Sequence, residues 1–138
     1  MSRVVFTKLI VWAIFAVAGF FCGSVTGGAP PYGAGSEVAG HIGAFAGLAG
    51  GIIWTRMVPA GGKVRRAMLV GGIVGADCHV IVYICVSAYL MLFYLDVYLP
   101  AILLALLPIS FAVGALVGLV AFGLWGVFGT PSEKSRFP

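Results

Sequence analysis

Charge is what this sequence has least of: 8 Lys or Arg and 4 Asp or Glu among 138 residues, 9% of the chain. A water-soluble domain of this length carries about a quarter of its residues as charge, because something polar must cover its surface. That class of protein is excluded. With 62% hydrophobic residues and a mean hydropathy of +1.14, the solvent for most of the chain is lipid.

Motifs that carry chemistry are as scarce as charge. Cys22, Cys78 and Cys85 stand in apolar segments, and none has the CxxC or Cys/His spacing of a zinc site or redox pair. They read as small buried hydrophobes. Cys78 and Cys85 share a helix face, but one helix cannot close a disulfide at that spacing. There is no Gly-rich phosphate loop, no HExxH and no Ser/His/Asp set, and the segments between apolar runs are too short to hold an extramembrane active site. The expectation is a protein that is not an enzyme, with no metal site and no resident cofactor. The net charge of +4 does not point to nucleic acid either, because its distribution reports topology.

What is present is apolar length. A hydrocarbon core of ~30 Å takes ~20 residues of helix, and four runs are long enough: about 4–27, 38–58, 68–95 and 101–128. The last two exceed a bilayer's need and are expected to tilt or protrude. The fold class is therefore all-α, a polytopic bundle of four transmembrane helices in a single membrane domain spanning 1–138. Between the first two runs, Pro30 and Pro31 flanked by glycines cannot be helical. Ser36 and Glu37 then supply an N-cap and a first-turn acid for the second helix. Pro59-Ala60-Gly61-Gly62 stops that helix, and a basic loop, 59–67, leads to the third. Asp96 and Pro100 separate the third from the fourth.

All Lys and Arg residues fall at the N-terminus (Arg3, Lys8), around the second loop (Arg56, Lys63, Arg65, Arg66) or in the tail (Lys134, Arg136). With four spans these share one side, and the positive-inside rule makes it cytoplasmic, so both termini are expected inside. Trp54 and Trp125 near that interface, and Tyr89, Phe93, Tyr94 and Tyr98 near the other, agree with an aromatic belt. Arg3 and Lys8 ahead of an apolar stretch also suit a cleaved signal peptide. However, Phe20 and Phe21 occupy positions before Cys22 where a lipobox needs small residues, and a retained first helix is the simpler account. The expected location is a bacterial inner (cytoplasmic) membrane.

The 21 glycines are patterned. Gly19, Gly23 and Gly27 recur every four residues in the first helix, as do Gly43, Gly47 and Gly51 in the second. Gly71 and Gly75 mark the third, Gly114 and Gly118 the fourth. Residues four apart stack on one helix face, and bare faces let backbones approach, replacing the hydrophobic drive that lipid cannot supply. Glycine-mediated packing, a glycine zipper, is the expectation. GAFAGLAGGIIW, from Gly43 to Trp54, also aligns without gaps to GALVGLVAFGLW, from Gly114 to Trp125. Such a match suits two parallel hairpins about an axis along the membrane normal. The first and third helices show no comparable alignment. Pro108, inside the fourth run, is expected to kink it.

Four intramembrane or interfacial polar residues are candidates for function. Asp77 lies deep in the third helix, where a carboxylate must be paired, protonated or facing water. Its neighbours Ile73, Val74, Ile81 and Ile84 form a bulky face opposite Gly71 and Gly75, so Asp77 is expected to point out of the bundle. His79 lies near the glycine face and is expected to point inward. The two residues are ~200° apart and cannot pair directly. Glu37 and His41, one turn apart at the non-cytoplasmic interface, are spaced for an ion pair. A haem held between His41 and His79 would need both rings at one depth on facing helices, a poor match. Arg56, Lys63, Arg65 and Arg66 are placed to meet anionic lipid headgroups.

These features lead to an accessory or assembly subunit of a larger membrane complex, its glycine faces packing helices and its Asp77 face meeting other membrane subunits. Next comes a small homo-oligomeric channel or secondary transporter that handles a proton or cation at Asp77. A haem- or quinone-linked membrane anchor is third.

Overall fold

The computed structural model describes residues 3–27, 36–59, 62–94 and 105–128. The first loop with Pro30 and Pro31, the Asp96 to Pro100 turn, the expected helix start at Ala101 and the tail with Lys134 and Arg136 lie outside them.

Four helices result: α1 (Arg3–Gly27), α2 (Ser36–Met57), α3 (Val64–Tyr94) and α4 (Leu107–Phe128). Each is long and apolar enough to cross a membrane, which marks the chain as a multi-pass membrane protein. Their outward side chains suit lipid: Phe45 is 73% and Leu92 77% exposed. At 31 residues, α3 extends ~46 Å, well beyond the ~30 Å hydrocarbon core.

Two boundaries differ from the sequence expectation. α3 starts at Val64, four residues before the apolar run at Met68, because the backbone amides of Arg66 and Ala67 both donate to the Lys63 carbonyl and wind the basic turn straight into helix. Arginine is a good helix former, and only the bilayer, not the helix, requires apolarity. Pro108 lies in the first turn of α4 rather than in its interior. Ala105 just before α4 is also helical, with a turn at Leu106 between them, so the winding is broken beside Pro108, and the Ser110 amide donates to the Leu106 carbonyl.

The two extensive pairings are α1 with α2 and α3 with α4; α2 with α3 comes next, and α1 also touches α4 and α3. The helices therefore run round the bundle in chain order, with α1 and α3 forming the short diagonal. The main core lies toward the basic end, where Trp54, Val58, Ala67 and Trp125 are buried beside Val11 and Phe15. The Phe15 and Trp54 rings are 5.9 Å apart. Indole N–H groups tie helices here: Trp54 Nε1 donates to the Ala67 carbonyl (3.1 Å), and Trp12 Nε1 donates to Thr55 Oγ1 (3.0 Å). The buried Trp125 Nε1 has no hydrogen-bond partner among the described residues.

One set of close approaches occurs twice. A Cβ placed on Gly19 would meet the Gly43 carbonyl oxygen, on Gly43 the Gly19 oxygen, on Gly47 the Phe15 oxygen and on Gly23 the Ala39 oxygen. In the second hairpin the same holds for Gly71 and the Gly114 oxygen, Gly114 and Gly71, Gly118 and Ala67, and Gly75 and Ser110. A shift of 52 residues carries α1 onto α3, and a shift of 71 carries α2 onto α4, for all four contacts. The α2 to α4 shift is the one that superimposes GAFAGLAGGIIW on GALVGLVAFGLW. The α1 to α3 correspondence is visible only in the contacts.

Candidate functional site

Asp77 stands thirteen residues after Val64 and twelve before Tyr89, at the middle of the third membrane span. It is exposed, as are Ile73, Ile81 and Ile84, whereas Val74, expected on the same face, is buried. The reason is local: Val74 packs where a Cβ on Gly50 of α2 would go, so the edge of that face turns toward α2.

The carboxylate borders a groove of about 430 Å³ between α2 and α3. Ala46, Ala49, Gly50 and Ile53 form the α2 wall, and Ile73, Val74 and Ile81 flank Asp77 on the other. The α2 wall is low because its residues are small. No other charged or hydroxyl side chain among the described residues lines the groove. Among the described residues, none hydrogen-bonds or ion-pairs with Asp77. An ionised carboxylate at this depth costs ~2.5–3.5 kcal/mol to insert, and nothing on the described helices offsets it.

His79 is buried, at 2% exposed, two residues further on and on another side of α3. It lies at a second groove of about 240 Å³ between α1 and α4, with Phe21, Cys22, Thr26, Ile109 and Ser110. The hydroxyl of Thr26 is turned back onto its own helix, donating to the Cys22 carbonyl at 2.8 Å. Asp77 and His79 thus serve different grooves and form no joint site.

His41 is exposed on α2 and touches α1 edge-on at Phe20, ring centroids 5.8 Å apart. Its Nδ1 donates to the Glu37 backbone carbonyl at 2.7 Å, so the i,i+4 spacing is used for a main-chain hydrogen bond rather than the expected contact with the Glu37 carboxylate. His41 meets α1 at Phe20, whereas His79 lies in the groove beside Cys22 and Thr26 of α1. Among the described residues no three His, Cys, Asp or Glu side chains gather to hold a metal ion. Arg56, Lys63, Arg65 and Arg66 are all exposed at the adjoining ends of α2 and α3.

Sequence reasoning found Asp77 but not its groove, whose shape depends on Ala46, Ala49 and Gly50 facing α3 while Gly43 and Gly47 face α1. The only signal was that small residues cover two faces of α2, not one. No known protein family, curated protein or solved structure matches this chain.

Proposed function

We propose that this chain is a non-enzymatic accessory or assembly subunit of a larger membrane complex in a bacterial inner membrane, with both termini and the basic loop on the cytoplasmic side. The observation that carries this reading is Asp77: an exposed carboxylate at mid-span, on a groove between two helices, with no partner among the described residues. A carboxylate presented to lipid is costly unless it is paired, protonated or reached by water, and a neighbouring subunit would pair it. The described part of the chain is almost wholly transmembrane, which suits a protein whose work is done by contact within the bilayer.

Glycine-mediated packing belongs to the same proposal. The paired approaches of Gly19 to Gly43 and Gly71 to Gly114 would hold each hairpin through dispersion contacts between backbones, as small-residue faces do in lipid. The outer α3 face is then left free for a neighbour.

The test is extraction of the chain from its native membrane in mild detergent, followed by native electrophoresis and mass spectrometry of what co-migrates. A stoichiometric hetero-complex is the expected result. A lone homo-oligomer would overturn the proposal and favour a second reading, a small channel or transporter that protonates Asp77. That reading draws on the same mid-span position and predicts loss of proton flux in Asp77→Asn.

A further inference from the structure

We infer that the groove beside Asp77 seats a partner's transmembrane helix that carries one lysine or arginine at mid-span depth. This rests on the accessory-subunit reading and specifies the partner's chemistry.

Electrostatics restricts the occupant. Among the described residues the site offers one carboxylate on otherwise apolar walls, with the sulfur atoms of Met57 and Cys78 among them. A metal cation needs several oxygen ligands, and neighbouring helical carbonyls are committed to their own ladders, so a bare ion is poorly served. A lipid ammonium headgroup sits at the interface, whereas Asp77 is at the centre of its span. A second copy of the chain is also unsuited, because its cationic residues are Arg3, Lys8, Arg56, Lys63, Arg65, Arg66, Lys134 and Arg136. Among the described residues these lie within two residues of a span's end, except Lys8, five residues into the first span; Asp77 is thirteen and twelve residues from the ends of its own, so a parallel or antiparallel neighbour leaves Lys8 ~10–12 Å away in depth. What remains is a cation carried into the bilayer on a helix, where each charge stabilises the other.

Shape agrees with this. Ala46, Ala49 and Gly50 keep the α2 wall low, so a third helix can approach α2 and α3 closely while its basic side chain reaches Asp77. The corresponding position in the first hairpin, under the shift of 52 residues, is Val25, which is exposed and apolar. The acid is therefore a feature of one side of a repeated scaffold.

The experiment uses the full chain in zwitterionic liposomes and host peptides of about 22 residues, long enough to span. The hosts are Leu/Ala helices with a central Lys, a central Leu, or a Lys in the terminal turn. Binding is read by energy transfer from a donor at the chain's C-terminus. The central-Lys host is expected to bind about tenfold tighter than the other two, the ratio that a strong polar interhelical pair sustains in a membrane. That advantage should vanish in Asp77→Asn and persist in Asp77→Glu. Ala49→Trp, which fills the exposed groove wall without touching the charge, should weaken the central-Lys host. Equal binding of central Lys and central Leu, or an advantage that survives Asp77→Asn, overturns the inference; indifference to Ala49→Trp overturns the groove as its place. If the native chain sits in a stoichiometric complex while the hosts bind equally, only this inference fails. A lone homo-oligomer in the native membrane removes the accessory reading itself.

Discussion

Gly19 and Gly43 oppose each other reciprocally: the first carbon of a side chain on either would fall on the other's carbonyl oxygen. Backbone meets backbone at this point, and no flexible group can move aside to admit a methyl. Gly43→Ala and Gly114→Ala are each expected to cost ~1–3 kcal/mol, the range for overpacking a tight interface. Denaturant titration of detergent-solubilised protein by circular dichroism would measure it. Gly123→Ala is the control, since nothing lies within 4 Å of its added Cβ; it should be neutral or stabilising by up to ~1 kcal/mol through helix propensity.

Trp125 and Trp54 occupy matching places in the two hairpins, yet among the described residues only Trp54 finds a partner for its N–H, the Ala67 carbonyl. Trp54→Phe should lose ~0.5–1.5 kcal/mol from that hydrogen bond, plus packing. Trp125→Phe relieves a buried unpaired donor and should cost less than Trp54→Phe. Thermal unfolding of the two variants side by side gives the order; the reverse order would mean that Trp125 holds the tighter contact.

Asp77→Leu is expected to ease membrane insertion of the third span by ~2.5–3.5 kcal/mol, because the carboxylate has no compensating group on the described helices. Translocon-mediated insertion of the isolated α3 segment, scored by glycosylation at flanking sites, reads this directly. The full-length variant should keep the fold, since Asp77 is exposed.

Arg56, Lys63, Arg65 and Arg66 are exposed together where α2 gives way to α3. Replacing all four with Gln should weaken attraction to an anionic leaflet by ~1 kcal/mol per residue. It should also erode orientation. A fluorescent-protein fusion at the C-terminus should report a cytoplasmic terminus in the native chain and a mixed population in the variant.

The four helices were legible because bilayer thickness converts directly into run length, and Asp77 because a carboxylate at mid-span is conspicuous in any sequence. Other features were not, for particular reasons. The α1 to α3 correspondence rests on Gly19 with Gly71 and Gly23 with Gly75; contacts made by missing side chains leave few letters to align. Val64 rather than Met68 begins α3 because basic residues wind into helix as readily as apolar ones. His41 turned to a carbonyl instead of a carboxylate because its ring packs edge-on against Phe20, a contact between helices that i,i+4 spacing cannot express.

The doubled glycine contacts also bear on movement. Helices whose backbones approach at alternating positions are expected to resist sliding past one another, so that each hairpin moves as one unit. Freedom is left at the seams between hairpins, α2 against α3 and α1 against α4, which are the seams that carry the Asp77 and His79 grooves. A helix seated in the first seam is then expected to reach the second as a change in tilt.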